Sequence, residues 1–265
     1  MRRLLHMSDL HFGRVAPELQ QPLLDAVERL SPDLVAVSGD LTQRARSSEF
    51  RAARAFLDRL PAPWLAVPGN HDVPLYNLAG RLIAPFRGYR RWISRQLEPL
   101  HRDPEMTLVG VNTVDPHAHQ RGKIGRRAIR RAAARLGQGD TDMMRVLMVH
   151  HPFSHLPGEP KALMKGAQAG IEALSDAGVN MVLSGHLHVW RADPVATRLG
   201  GAQTLQIQAG TGLSTRRRGE ENDFNLIEID GRSVQVDRYA ATSDLSFGRV
   251  ASVGFHRTAT GWDRL

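Results

Sequence analysis

Leu34-Val35-Ala36-Val37-Ser38-Gly39-Asp40 reads as a buried strand that stops on a glycine and delivers a carboxylate at its carboxyl end. The segment after it, residues 48–60, repeats apolar residues every three or four positions, as an amphipathic helix does. The same alternation recurs outward from this unit. Short runs rich in Leu, Val and Ile at 4–7, 64–67, 107–111, 146–149 and 181–183 read as strands, and 22–30, 124–136 and 168–177 read as helices. Strand and helix alternating in this way predict an α/β fold with largely parallel pairing through right-handed crossovers.

From about Ala192 the pattern changes. Residues 195–199, 204–208, 224–229 and 233–239 are strand-like and separated by glycine-rich turns, with Asp230-Gly231 marking a hairpin. This stretch reads as an antiparallel extension that gives two packed sheets with helices outside. Residues 1–240 form one domain in this reading, and 241–265 an edge strand or tail.

With 42% apolar and 23% charged residues over 265 positions, the chain is long enough to bury one large core. It has no cysteine, which excludes disulfides, iron–sulfur clusters and thiolate metal sites, so any strong metal ligand is imidazole, carboxylate or amide oxygen. No signal-peptide pattern and no transmembrane segment is found, and a cytoplasmic location is expected. Lys and Arg outnumber Asp and Glu 35 to 27, a formal charge of +8, which favours anionic partners. The arginines are spread along most of the chain, so a genome biased toward arginine codons accounts for the excess equally well.

Five of the first six strands end within one to three residues in groups that bind metals or move protons: Asp9 and His11, Asp40, Asn70-His71-Asp72, His150, and His186 and His188. The carboxyl ends of parallel strands converge on the crevice where such folds bind ligands. Asp9/His11 and His186/His188 are spaced two apart, which on an extended segment puts both side chains on one side. Gly39, Gly69 and Gly185 stand where a strand must turn and a backbone must come close. Seven ligands exceed the needs of one small cation and suit two, with Asp40 between them.

These blocks, in this order from Asp9 to His188, resemble the calcineurin-like metallophosphoesterase superfamily. The wording Ser8-Asp9-Leu10-His11-Phe12-Gly13, Ser38-Gly39-Asp40-Leu41-Thr42 and Pro68-Gly69-Asn70-His71-Asp72 is most similar to its bacterial cyclic-nucleotide phosphodiesterase (class III) group. The resemblance implies a four-layer α/β/β/α sandwich of two mixed sheets flanked by helices. It implies that Asp9, His11, Asp40 and His188 hold one ion and Asp40, Asn70, His150 and His186 the other. The ions, Mn, Fe, Zn or Co, are divalent or mixed-valence and share a bridging hydroxide that attacks a small phosphodiester such as a 3′,5′-cyclic nucleotide. His71 is implied as the catalytic residue that protonates the leaving oxygen or stabilises transition-state charge, with Asp72 orienting its ring. Protein phosphatases of the superfamily carry Gly-Asp-x-x-Asp-Arg-Gly. Here Gln43 and Ala45 break that pattern, which argues against the protein-phosphatase reading.

The remaining candidates divide. His151 neighbours His150 but faces the other way on a strand, and His6 reads as a core histidine. His117, His119 and His155 lie in loops able to overhang the crevice. The arginines between Arg126 and Arg135 read as the solvent side of an amphipathic helix, while Arg216-Arg217-Arg218 in a turn-rich stretch is a candidate phosphate contact. Competing functions are a nuclease, a hydrolase of a phosphorylated lipid precursor using residues 78–92 as an amphipathic insertion, and an inactive metal-stabilised binding module. Nucleic acid is not the favoured partner, and the C-terminal strands can supply an edge for a homodimer.

Overall fold

The computed structural model describes residues 1–138, 143–155, 158–195, 204–259 and 261–265. In chain order the elements are β1 (Arg2–Met7), α1 (Gln20–Leu30), β2 (Leu34–Val37), α2 (Ser47–Leu57), β3 (Trp64–Ala66), α3 (Leu78–Ile83), α4 (Arg87–Trp92), β4 (Leu100–Arg102), β5 (Met106–Gly110), α5 (Arg126–Leu136), β6 (Met144–Met148), α6 (Ala167–Asp176), β7 (Met181–Ser184), β8 (Arg191–Val195), β9 (Thr204–Gln208), β10 (Asp223–Asp230), β11 (Ser233–Ala241), β12 (Phe247–Arg257) and β13 (Trp262–Arg264). One sheet runs β13-β12-β11-β10-β1-β2-β3 and the other β4-β5-β6-β7-β9-β8. The units β1-β2-β3 and β5-β6-β7-β9 are parallel.

Strand periodicity explains the four layers. Leu4 and Leu34 point to the inter-sheet space, where they meet Met106, Val146, Met148, Leu183 and Ile207 of the second sheet. Their neighbours Leu5 and Val35 point the other way, onto Leu23 and Val27 of α1 and Phe50 and Phe56 of α2. Val109, Leu147 and Val182 cover Ile129 and Leu136 of α5 and Ile171 and Leu174 of α6 on the far side. The result is the α/β/β/α sandwich of two mixed sheets.

The C-terminal third departs from the expected extension. β8 and β9 join the second sheet, and β9 runs parallel to β7 rather than antiparallel. Of the strand expected at 195–199, only Val195 lies among the described residues, where it ends β8. Strands β10 to β13 complete the first sheet, with β10 antiparallel to β1. The hairpin expected at Asp230-Gly231 is present: Asp230 pairs with Ser233, and Gly231 takes φ +57°. Residues 247–257 form an eleven-residue strand, anchored at its far end by Trp262, whose Nε1 donates to the Asn180 carbonyl across the sheets. No helix among the described residues is long and apolar enough to cross a membrane.

His6 sits on the inter-sheet face of β1 with no solvent exposure, its Nε2 against Ser38 Oγ at 2.9 Å. Burial lowers its pKa to about 3, so it is neutral in the fold. The unfolded chain protonates this group first as pH falls below about 6.5, so its contribution is intact above that pH and lost below it. On the order of 2 kcal/mol should disappear between pH 8 and pH 5. Urea midpoints measured at both pH values should show a smaller fall for His6→Gln than for the parent chain.

Candidate metal centre

Past their last paired residues, the parallel strands keep exchanging backbone hydrogen bonds, and these carry the site residues into register. The amides of Asp9 and His11 donate to the carbonyls of Gly39 and Asp40, at 3.0 and 2.9 Å. Gly185 N donates to the His150 carbonyl at 3.1 Å, and Gly212 N to that of Ser8 at 2.8 Å. The carboxyl ends of β1, β2 and β3 thereby face those of β6, β7 and β9.

All seven candidate ligands are brought together and buried, Asn70 being the most exposed at 8%. The Nε2 atoms of His11 and His188 lie 3.5 and 3.1 Å from Asp9 Oδ1 and only 3.3 Å from each other. Asp40 stands between this group and the next, its Oδ2 being 3.8 Å from His11 Nε2 and 3.4 Å from His150 Nε2. His150 Nε2 is 3.2 Å from Asn70 Oδ1. His186 faces His150, with ring centroids 5.2 Å apart. Asp9 Oδ1 is buried with no hydrogen-bond partner among the described residues. An unpartnered carboxylate oxygen beside two converging imidazole nitrogens fits a bound cation, because each lone pair then gains a common positive centre.

Asp9, His11, Asp40, His186 and His188 all have φ between +51° and +73°. A left-handed non-glycine residue costs on the order of 1 kcal/mol or more, and such strain gathers at functional sites. Asp9 and His11 still share one donor group, as their spacing implied, but the same-side reading is corrected for His186 and His188. His188 groups with Asp9 and His11, whereas His186 turns to His150 and His151. Gly185 shows why the strand ends need glycine: a Cβ there would lie 1.8 Å from Ser8 Oγ and 2.4 Å from Asp9 Oδ2.

The supporting hydrogen bonds fix the imidazoles. His150 Nδ1 bonds the Ser38 carbonyl and His188 Nδ1 that of Arg216, both at 2.8 Å, leaving each Nε2 directed inward. His71 is held differently. An Arg216 Nη1 lies 3.0 Å from its Nε2 and can only donate, so Nε2 accepts and Nδ1 carries the proton toward the Gln43 carbonyl at 2.9 Å. Burial first, with His11 and Arg216 adding to it against Asp40, lowers His71 to about 4, so the ring is neutral near pH 7.

Asp72 corrects an expectation. Its carboxylate accepts from the amides of Gly69, Thr42 and Leu41 and from Thr42 Oγ1, binding the loop after β3 to the loop after β2 rather than the His71 ring. Burial, reinforced by Asp40, raises it to about 7. His151 lies among possible donors but spends both ring nitrogens elsewhere, on Thr113 Oγ1 and the Gln120 carbonyl at 2.9 Å each.

A cavity of about 350 Å³ opens over the cluster. Arg216, Arg217 and Arg218 line it, and so do Lys161 and Gln120, which nothing in the local sequence marks. Lys161 reaches the wall because its Nζ donates to the His186 carbonyl at 2.5 Å. His119 lines a small adjoining recess with His71 and Asn70; His117 and His155 line neither. On α5, Arg131 pairs with Glu98 and Arg135 donates to the Glu98 carbonyl, as suits a surface helix. Arg44 lies over the Tyr76 ring.

The two-sheet sandwich is shared with solved structures. A purple acid phosphatase from yellow lupin seeds superposes with a TM-score of 0.73 at 12% identity over 97% of this chain and 54% of its own. PhoD gives 0.73 at 11% identity over 100% of this chain and 71% of its own. The model of the calcineurin-like phosphoesterase family matches residues 2–190, and the chain belongs to that family. It is 29% identical over 168 residues to a probable cyclic nucleotide phosphodiesterase of Synechococcus sp., covering 61% of this chain and 60% of that protein. It is 38% identical over 80 residues to the glycerophosphodiester phosphodiesterase GpdQ of Enterobacter lignolyticus, covering 26% of this chain and 29% of that protein. The match thus spans three-fifths of the first relative's length and under a third of the second's.

Despite burial, Asp40 beside it raises His150 to about 9, so at pH 7.5 the metal-free site carries a proton there. Ligation needs neutral imidazole, so metal binding at pH 7.5 should release about one proton and weaken as pH falls. Calorimetry in buffers of different ionisation enthalpy measures this release; zero release contradicts the proposed ligation by His150.

Proposed function

We propose that the chain is a metal-dependent phosphodiesterase that hydrolyses a small phosphodiester. The buried, unpartnered Asp9 Oδ1 among imidazole nitrogens, beneath a cationic cavity, carries this reading. Asp9, His11, Asp40 and His188 would hold one ion and Asp40, Asn70, His150 and His186 a second, and their N and O donors suit Mn, Fe, Zn or Co. Divalent ions there supply Lewis acidity toward a phosphoryl group and lower the pKa of water.

The chain's own residues orient the ester and meet its charge. Arg216 has donors left over for phosphoryl or leaving oxygens, and His71 and Gln43 hold its guanidinium at 3.0 and 3.5 Å. A neutral His71 whose Nε2 faces a guanidinium supports charge stabilisation through Arg216 over direct proton donation. The cavity volume falls at the low end for small-molecule sites, which supports a compact substrate such as a 3′,5′-cyclic nucleotide. The names of the two relatives support the same class.

One observation favours a second reading, a hydrolase of a phosphorylated lipid precursor. Tyr76, Leu78, Leu82 and Ile83, in and before α3, are exposed, and Val73 and Leu75 line the recess beside His71. Co-sedimentation with zwitterionic phosphatidylcholine vesicles separates the two, because the lipid-precursor enzyme sediments through its apolar residues and the small-diester enzyme stays in the supernatant.

Manganese-loaded protein should hydrolyse bis(4-nitrophenyl) phosphate and a 3′,5′-cyclic nucleotide, and chelation should abolish both activities. Asn70→Ala and Arg216→Ala should each lower kcat by about 100-fold or more. Full activity in Asn70→Ala would show the proposed metal site to be wrong.

A further inference from the structure

The cavity wall carries more positive charge than one phosphodiester needs. Arg216 attends His71, at the site of the proposed chemistry. Lys161 attends the other candidate ligand group through the His186 carbonyl, and among the described residues it has no ion-pair partner. Beside it, among the described residues, Arg218 has a single acidic partner, Glu159, at 3.4 Å, and that same carboxylate accepts from the Lys161 amide at 3.0 Å. Glu159 therefore ties the Lys161 loop to the Arg218 loop and fixes two cations side by side, with one carboxylate between them. Gln120 adds its amide to the same cavity.

A scissile phosphodiester has one negative charge, already faced by Arg216 and the candidate metal ligands. We propose that Lys161 and Arg218 form a separate anion subsite, and that the substrate is a phosphodiester bearing a second anionic group, a phosphate or carboxylate, on one of its alcohol portions. This rests on the phosphodiesterase reading and narrows it, because a simple cyclic nucleotide monoanion leaves the subsite empty. Lys161 is then a specificity-determining residue: it selects the charged alcohol portion.

A series of aryl 4-nitrophenyl phosphodiesters tests this, with the second ring bare, carboxylated or phosphorylated, so that the leaving group never changes. The parent enzyme should favour the charged members by about tenfold or more in kcat/KM. Lys161→Met should bring that ratio close to one, Lys161→Arg should keep most of it, and Arg131→Met on distant α5 should leave it unchanged. The proposal is overturned by a parent ratio near one, by a Lys161→Met loss equal on bare and charged esters, or by an equal effect of Arg131→Met. If no ester is hydrolysed, the phosphodiesterase reading fails, and calorimetry still reads the subsite. Metal-loaded protein should bind 3-phosphonopropionate about tenfold or more tighter than propylphosphonate, with the difference lost in Lys161→Met. Equal affinities for the two probes overturn it.

Discussion

The Asp40 carboxylate is the constraint around which the rest of the structure is arranged. It is 1% exposed, and it lies between the imidazoles of His11 and His150 while its Oδ1 takes the His71 amide at 2.7 Å. A buried carboxylate flanked by imidazoles is stable only with a positive charge beside it, whether a proton on His150 or a metal ion. The surrounding backbone accepts strain to build this arrangement. Five candidate ligands adopt left-handed φ, and Gly69 leaves Asp40 Oδ1 a space that a Cβ, at 2.1 Å, would fill. Asp72 then locks the loops after β2 and β3 together from beneath.

Much of this was legible in the sequence because it is local. A run such as Leu34–Val37 followed by Gly39-Asp40 carries its strand, its turn and its ligand in seven residues, and parallel topology does the convergence. Partners set by tertiary packing were not legible. Asp72 follows His71, yet its acceptors point to loop amides some thirty positions earlier in the chain. Lys161 has no pattern around it and gains its place from the His186 carbonyl. The spacing argument holds for Asp9 and His11, which share a group, and fails for His186 and His188, whose rings go to different groups although all four residues leave the extended backbone it assumed.

The C-terminal strands show a second limit. In β12, Phe247, Val253 and Phe255 are buried while Val250 is 55% exposed, so hydrophobic alternation breaks within the strand. The pairing of β11 with β12 shifts register between Arg238 and Tyr239, which accounts for the interrupted period. The arginine excess also divides on inspection of the fold. Arg131, Arg54 and Arg238 are matched to carboxylates away from the cavity, whereas among the described residues Arg216 and Lys161 form no ion pair, so the local charge at the cavity says more than the net charge of the chain.

The central claim, that Asp40 stands between two metal positions, is tested most directly by anomalous diffraction from crystals of the manganese-loaded protein. Two peaks should flank the Asp40 carboxylate about 3.5–4 Å apart, one beside Asp9, His11 and His188 and the other beside Asn70, His150 and His186. A single peak, or peaks that leave Asp40 uncoordinated, would contradict it.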